Sequence, residues 1–458
     1  MIQNRFMHYH FIAIGGSAMH NLAIALHLKG DSVTGSDDEI FEPSKSRLAK
    51  HNLLPDEVGW DTNRINSNID AVILGMHARK DNPELIKAQN LGLSIYSYPE
   101  FIYEQTKDQL RIVIGGSHGK TSITSMILHV LSKKNIDHNY MVGAQLEGFD
   151  CMVKLSKEAK IAVLEGDEYL SSPIDRRPKF HLYQPDIAVV SGIAWDHINV
   201  FPTFENYIEQ FSIFVDKVGK SGKVIYFEDD NVLKEVVLNS SSKATKIPYR
   251  AFPNQIHNGI TYIRAQEEEI PLEIFGEHNL QNLNAAYHVC LHLGVKSVDF
   301  FNAIRTFKGA SKRLELVQKN QSTAIYKDFA HSPSKLKATT SALKNQYPNR
   351  KLIACMELHT FSSLNKSFLD QYNGTMEGAD VAFVYFNKQT LKHKKLDDLS
   401  AEDVKKAFAG ENVTVLNSSQ EMVDCLLKMK WEQQNLLLMS SGNFDGIQFA
   451  ELAEKIIT

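Results

Sequence analysis

Short apolar runs ending in glycine or small polar residues recur along the chain, most followed by a stretch of helical period. His10–Ile14 is strand-like, then come Gly15, Gly16, Ser17, Ala18 and Met19, then a helical pattern from Asn21 to Lys29. Ser32–Thr34 reads as a second strand closing on Gly35-Ser36-Asp37, and Ala71–Leu74 as a third running into Gly75-Met76-His77 and on to Asn82-Pro83. Ile112–Ile114 precedes the turn Gly115–Gly119 and a helical pattern from Ser122 to Lys133. Ile161–Leu164 and Asp186–Val190 are almost wholly apolar, as strands buried on both faces are. Further on, runs at Ala324–Tyr326, Leu352–Met356, Val381–Phe386 and Leu436–Met439 are separated by helical patterns such as Lys335–Lys344 and Glu421–Trp431. This alternation predicts an α/β protein with mainly parallel sheets. Its breaks divide the chain into residues 1–108, 109–310 and 311–458, and a chain this long has room for about three cores.

Composition narrows the partners. Lys plus Arg total 50 against 54 acids, a net charge of −4, which argues against broad nucleic-acid binding. The four cysteines are widely spaced and form no C-x-x-C pair, which reads as buried thiols in a reducing compartment. No apolar run approaches a membrane span and the start lacks a signal-peptide layout. The expectation is a cytoplasmic protein, monomeric or homodimeric, with neither a membrane nor a nucleic acid as partner.

The candidate chemistry gathers at strand ends. Gly115–Gly119 between strand and helix is a phosphate cradle: glycines let backbone N–H groups approach, and the helix start adds partial positive charge. Gly116, Ser117, His118, Gly119, Lys120, Thr121 and Ser122 are its expected nucleotide contacts, Lys120 reaching the terminal phosphates and Thr121 ligating Mg²⁺. The strict pattern wants a glycine where Ile114 stands. Glu165, first acid of the run Glu165–Glu168, suits a metal ion, and His197 after Asp196 is either a further metal residue or a core histidine. The first turn outlines half a Rossmann fold with Ala13 and Ala18 in place of its outer glycines. It suits a nucleotide diphosphate, with Asp37 placed for a ribose or base, and His77 and Asn82 as further candidates. Asn279 and Asn282 carry the donor–acceptor pair that an adenine edge needs, though Asn is also a common helix cap.

In order along the chain these motifs resemble those of the Mur ligases, the ATP-dependent amide ligases of peptidoglycan synthesis. The likeness runs from Gly35-Ser36-Asp37 through Gly116–Thr121, Glu165–Glu168, Asp196-His197 and Gly276-Glu277-His278-Asn279 to Lys312-Arg313 and Asp328-Phe329-Ala330-His331. It implies a Rossmann-like UDP-sugar domain, a central P-loop ATPase domain with a mainly parallel sheet, and a Rossmann-like C-terminal domain. It further implies ATP and Mg²⁺ as cofactors, and as substrates UDP-N-acetylmuramate and a short peptide or amino acid. Lys120, Arg313 and His331 become the expected catalytic residues, Asn279, Asn282, Arg313 and Asp328 ATP contacts, and Thr121, Glu165 and His197 metal residues. Gly15, Gly16, Ser17, Ala18, Met19, Ser36, Asp37, His77 and Asn82 would hold the UDP-sugar.

Within the family, Asp175-Arg176-Arg177-Pro178-Lys179 resembles the basic insertion of the murein-peptide ligases, which join L-alanyl-γ-D-glutamyl-meso-diaminopimelate to UDP-N-acetylmuramate in murein recycling. Arg176, Arg177, Lys179 and Glu357 are then the expected peptide contacts. The alternative is the L-alanine-adding branch. Departures from the family pattern are Gly192 and Ala194, where an Asn and a Glu are usual, and the single pairs His331-Ser332 and Lys327-Asp328. Two readings from other classes are a nicotinamide-dependent oxidoreductase, which leaves Gly119-Lys120-Thr121 unused, and a non-catalytic UDP-sugar-binding protein.

Overall fold

The computed structural model describes residues 6–146, 148–195, 200–265, 268–310 and 313–457. Its strands form four sheets, three of them mainly parallel or wholly so. The first holds β1 (His8–Ile12), β2 (Ser32–Ser36), β3 (Ala71–Leu74) and β4 (Ser94–Ser97) in the order β2-β1-β3-β4, all parallel. β1 stops two residues short of the expected Ile14 because Ala13 turns the chain at φ 69°. The N–H groups of Ala13 and Ile14 both donate to Ser36 O.

The second sheet holds β5 (Leu110–Gly115), β6 (Asn139–Met141), β7 (Val153–Lys154), β8 (Ile161–Glu165), β9 (Ile187–Val190), β10 (Lys223–Phe227) and β11 (Thr245–Tyr249). Its order is β11-β10-β9-β5-β8-β6-β7, and only β7 runs antiparallel. β5 therefore lies between β8 and β9, so the glycine loop and Glu165 leave neighbouring strands at the carboxyl edge, where such sheets bind ligands.

A small antiparallel sheet, β12 (Asn254–His257), β13 (Ile260–Ala265) and β14 (Glu268–Leu272), follows. The last sheet holds β15 (Glu315–Lys319), β16 (Thr323–Asp328), β17 (Lys351–Leu358), β18 (Val381–Phe386), β19 (Val413–Leu416) and β20 (Gln434–Met439), in the order β15-β16-β20-β17-β18-β19. All its pairs but β15–β16 are parallel. Two faces of apolar side chains cover this sheet, one centred on Leu352, Met356 and Phe386 and the other on Ile353, Cys355 and Leu438. The helix expected over Glu421–Trp431 is Ser419–Leu427; it ends early, and the Trp431 indole N–H donates to Leu426 O at 2.9 Å.

By contacts the chain divides into two compact units. One comprises residues through Ile193 with Glu205–Tyr249 and Ala285–Ser297; the other comprises Ala194–Phe204, Arg250–Asn284 and Val298 onward. Among the described residues no helix is long and apolar enough to cross a membrane.

The strand ends that carry the glycine loop are braced by one ring. Phe180 is fully buried, stacks on Phe214 at 4.6 Å and meets Phe211 edge-on at 5.4 Å. A Cβ on Gly115 would lie 3.3 Å from this ring, a tight contact, and one on Gly166 only 2.8 Å from Val113, where something would have to shift. Phe180→Ala should lower stability by about 3–5 kcal/mol, read as a fall in the urea midpoint by far-ultraviolet circular dichroism. An unchanged midpoint would mean that the ring braces nothing.

Candidate active site

The glycine loop is shaped by residues across from it. Gly116 has φ 127° and a Cβ there would collide with Ser191, whose backbone N would be 2.9 Å away. Gly119, at φ 74°, caps the helix Lys120–Lys133, which begins two residues earlier than its pattern suggested. The Ser117 N–H donates to Gly192 O at 3.0 Å, the Ser191 hydroxyl donates to His118 O, and Ser117 Oγ lies 3.0 Å from Tyr207 Oη. Ile114 stands outside the loop: β5 continues through Gly115, and Ile114 is a fully buried strand residue paired with Glu165 and Val189.

Lys120 is folded back into this loop. Its Nζ lies 2.6 Å from Glu168 Oε2 and 2.7 Å from Gly116 O. Burial pulls its pKa down, but Glu168, Asp167 and Glu165 together hold it above the ordinary lysine value, so the side chain is a cation. Tyr207 donates its hydroxyl to the other oxygen of Glu168 at 3.1 Å.

Beside it, the Thr121 hydroxyl donates to Glu165 Oε1 at 2.9 Å, and the Gly143 N–H donates to Glu165 Oε2 at 3.0 Å. Ser122 is buried in the first helical turn. A hydroxyl and a carboxylate side by side at a phosphate loop are hard oxygen donors of the kind Mg²⁺ takes together with phosphate oxygens. His197 and Asp196 lie outside the described residues, as does Lys312. Gly192 has φ 144° and its Cβ would be 3.3 Å from Asp230 Oδ2, a backbone conformation closed to the usual asparagine.

At the first glycine turn, the Gly15 N–H donates to Asp37 Oδ2 at 2.7 Å. Gly16 caps the helix Ser17–Leu28, with Ser17 and Ala18 exposed and Met19 buried. The Ser36 hydroxyl donates to buried Glu84 at 2.7 Å and accepts from Arg64 at 2.9 Å. Glu84 Oε1 also accepts the Asp61 N–H at 2.8 Å, and Glu84 Oε2 lies 3.3 Å from His10 Nε2. His77 is exposed, whereas Asn82 is buried and its side chain caps the helix Pro83–Asn90 through the N–H groups of Glu84 and Leu85. Sequence reasoning missed Glu84 and Arg64. Glu84 reads as an ordinary acid in a helical first turn, and only the chain path brings it to Ser36.

The basic stretch folds back on the end of β8. Leu170 bridges to Pro178, the Lys179 N–H donates to Tyr169 O, and the Phe180 N–H donates to Asp167 O. Arg176 is exposed, Arg177 lies 2.6 Å from Asp175 and 3.3 Å from Glu100, and Lys179 lies 2.6 Å from Asp167.

In the second unit, Asn279 and Asn282 are buried in the helix Glu277–His292, and Asn279 Nδ2 donates to Phe275 O at 2.9 Å. Asp328, at the end of β16, accepts the N–H groups of Leu314 at 2.5 Å and Ala330 at 2.6 Å. Leu314 has φ 45°, so this carboxylate holds a conformation that costs a bulky residue about 1–3 kcal/mol. Burial raises the Asp328 pKa more than Arg313 and these N–H groups lower it. The Arg313 guanidinium lies 4.9 Å over the Phe329 ring, and His331 Nδ1 is 2.8 Å from Phe329 O. Glu357, at the end of β17, accepts the Ser440 hydroxyl and, at 2.8 Å, the Phe444 N–H, with His359 Nδ1 3.6 Å away. Burial pushes the Glu357 carboxyl up, but His359, Ser440 and the Phe444 N–H hold it below its usual value.

Parallel sheets with a lysine-bearing glycine loop and carboxylates at adjacent strand ends have the features of a nucleotide-dependent α/β enzyme. Residues 8–109 match the Mur ligase family catalytic domain, residues 114–290 the Mur ligase middle domain, and residues 312–442 the Mur ligase glutamate ligase domain. A UDP-N-acetylmuramate–L-alanine ligase of Caldicellulosiruptor bescii is 33% identical over 392 residues, covering 82% of this chain and 83% of that protein. The chain belongs to the Mur ligase family, whose members are ATP-dependent amide-bond ligases of peptidoglycan synthesis. Its fold is shared with a murein peptide ligase of Psychrobacter arcticus (TM-score 0.65, 22% identity, 98% of both chains). It is shared too with a UDP-N-acetylmuramate-alanine ligase of Thermotoga maritima (TM-score 0.71, 17% identity, 98% of this chain and 99% of that one).

Asp37 makes a prediction about pH. Burial is the main cause that raises its carboxyl from 3.8 to about 6, with Asp38 adding to it and the Gly15 N–H opposing. Between these values the folded chain holds more protons here than the unfolded chain, so the contribution of Asp37 to stability falls as pH rises from 3.8 to about 6. Asp37→Asn should flatten this part of the melting-temperature profile relative to the parent. Parallel profiles from pH 4 to pH 6 would show that the carboxyl does not titrate in this window.

Proposed function

We propose that the enzyme phosphorylates the carboxylate of UDP-N-acetylmuramate with ATP and transfers the acyl group to the amine of L-alanyl-γ-D-glutamyl-meso-diaminopimelate. The carboxylate attacks the γ-phosphorus, the bond to the β-bridging oxygen breaks, and ADP leaves. The amine then attacks the acyl phosphate carbonyl, losing a proton as inorganic phosphate departs. The obstacle in the first step is repulsion between two anions, and positioned cations offset it.

Lys120 is the cation in this loop, and it has only to exchange Glu168 for a phosphate oxygen. Thr121 and Glu165 would hold Mg²⁺, with His197 as a further metal residue; the ion supplies charge neutralisation on the phosphates. Asn279, Asn282 and Asp328 serve ATP in this reading, Arg313 the transferred phosphoryl group, and His331 the acyl phosphate or incoming amine. The glycine turn, Ser36 and Asp37 anchor the uridine diphosphate, a remote handle whose binding energy positions the reacting carboxylate.

The observation that carries the tripeptide reading is the basic loop tied back onto the end of β8, a few residues from Glu165 and Glu168. A peptide with several carboxylates beyond its amine can take Arg176 directly and replace Asp175 or Asp167 at Arg177 and Lys179. An arginine fork grips a carboxylate with two hydrogen bonds. Glu357 is a further acceptor contact in this reading. The name of the Caldicellulosiruptor relative favours a second reading, free L-alanine as acceptor.

Lys120→Ala should reduce ligase and ADP-forming rates about 10²–10³-fold while UDP-N-acetylmuramate binding, measured by calorimetry, persists. Parent-like rates would take this loop out of the mechanism. For the acceptor, kcat/KM at saturating ATP and UDP-N-acetylmuramate should be higher for the tripeptide than for L-alanine, and Arg176→Ala with Arg177→Ala should narrow the gap. Preference for L-alanine would establish the second reading.

A further inference from the structure

Asn21 sits in the second turn of the helix Ser17–Leu28 and is only 3% exposed. An asparagine inside a helix competes with the backbone for hydrogen bonds, so a buried one needs partners of its own. It has them in two domains. Its Nδ2 donates to Ser17 O at 2.8 Å, and its Oδ1 accepts the Met152 N–H at 2.9 Å. These partners fix the amide orientation, because a backbone N–H can only donate and a carbonyl only accept.

His20 extends the set. Asn21 Nδ2 lies 3.1 Å from His20 Nε2, which therefore accepts, leaving the proton on Nδ1, 3.0 Å from Gly16 O. The Cys151 thiol donates to Asn21 O at 3.2 Å. On the far side, the Val142 N–H donates to Met152 O at 2.9 Å, and the next N–H, that of Gly143, is the one bound to Glu165. A Cβ on Gly143 would be 3.0 Å from Glu165 Oε1, so the strand end is seated tightly on the carboxylate. Hydrogen bonds, relayed by the backbone at Met152 and at Val142–Gly143, thus run from the carbonyls of Gly16 and Ser17 through Asn21 to Glu165 and Thr121.

We propose that Asn21 is a positioning residue that couples UDP-sugar binding at the glycine turn to the setting of Glu165 for the Mg²⁺-nucleotide. The proposal rests on the function proposed above. A ligand that takes the N–H groups of this turn fixes the carbonyls to which Asn21 and His20 are bonded. The same bonds then fix the Val142–Gly143 peptide against Glu165. Linkage makes the effect reciprocal: each ligand tightens the other by the same factor.

The test is calorimetric titration of Mg²⁺ with a non-hydrolysable ATP analogue, with and without UDP-N-acetylmuramate. In the parent the sugar nucleotide should tighten analogue binding about 5–150-fold. In Asn21→Ala and Asn21→Leu each ligand should still bind alone, while the tightening falls to about one-fold, as no coupling requires. Undiminished tightening in both variants would overturn the proposal. Failure of UDP-N-acetylmuramate to bind the parent would instead overturn the function on which it rests. Should the variants fold poorly, amide exchange of the parent decides. UDP-N-acetylmuramate alone should slow exchange at Met152 and Gly143, and unchanged exchange there would refute the coupling.

Discussion

A largely buried ammonium must be answered by negative charge, and the end of β8 meets that demand at Lys120. Its head group donates to Gly116 O of the loop that bears it, and Glu168, itself 1% exposed, supplies the answering carboxylate. Removing one partner of such a pair costs about 3–5 kcal/mol, because the other charge is left buried and unpaired. The pair is therefore stable only as a pair or with a substitute of the same sign. A phosphate is such a substitute, and Gly116 and Gly119, both at positive φ, give the loop around it its turn. The sheet order β9-β5-β8 makes this possible, since the loop and the acids leave adjacent parallel strands at the same edge.

One device recurs at several turns of the chain: a buried acid accepts a backbone N–H and pins the turn. Asp37 holds Gly15, Glu84 holds Asp61, Glu165 holds Gly143, Asp328 holds Leu314 and Ala330, and Glu357 holds Phe444. Each such bond satisfies both a buried carboxyl oxygen and a turn N–H, groups that are costly to leave unpaired. These bonds can therefore hold backbone that is otherwise strained, as at Leu314 and Phe444, both at positive φ.

The central strands of the parallel sheets were legible in the sequence because they are buried on both faces and read as unbroken apolar runs, whereas part-exposed strands such as β4, β11 and β19 were not. Ala71–Leu74 and Val381–Phe386 were read to the residue. The antiparallel sheet was not, because β12 is exposed at every position and has no inward face to betray it. Helix starts came out late at Ser122 and Asn21, since the first turns are polar or glycine-capped and carry no apolar period. Lys120, Thr121 and Glu165, which the structure brings to one loop, were singled out because glycine spacing and strand ends announce them. Glu84, Arg64 and the bridging role of Asn21 were not, because each gains its meaning from residues 20 or more positions away.

The position of β20 bears on how the chain is made. Among the described residues it is the last strand of its sheet in chain order, yet it lies in the middle of that sheet, hydrogen-bonded to β16 on one side and β17 on the other. Until it is inserted, β16 and β17 have no common neighbour and their apolar faces cannot close. This sheet therefore cannot be completed while residues up to Met439 are still within the ribosome, whereas the sheets of the first unit lie wholly upstream. The nascent C-terminal segment must wait with open strand edges, the state in which chains most readily aggregate or recruit a chaperone.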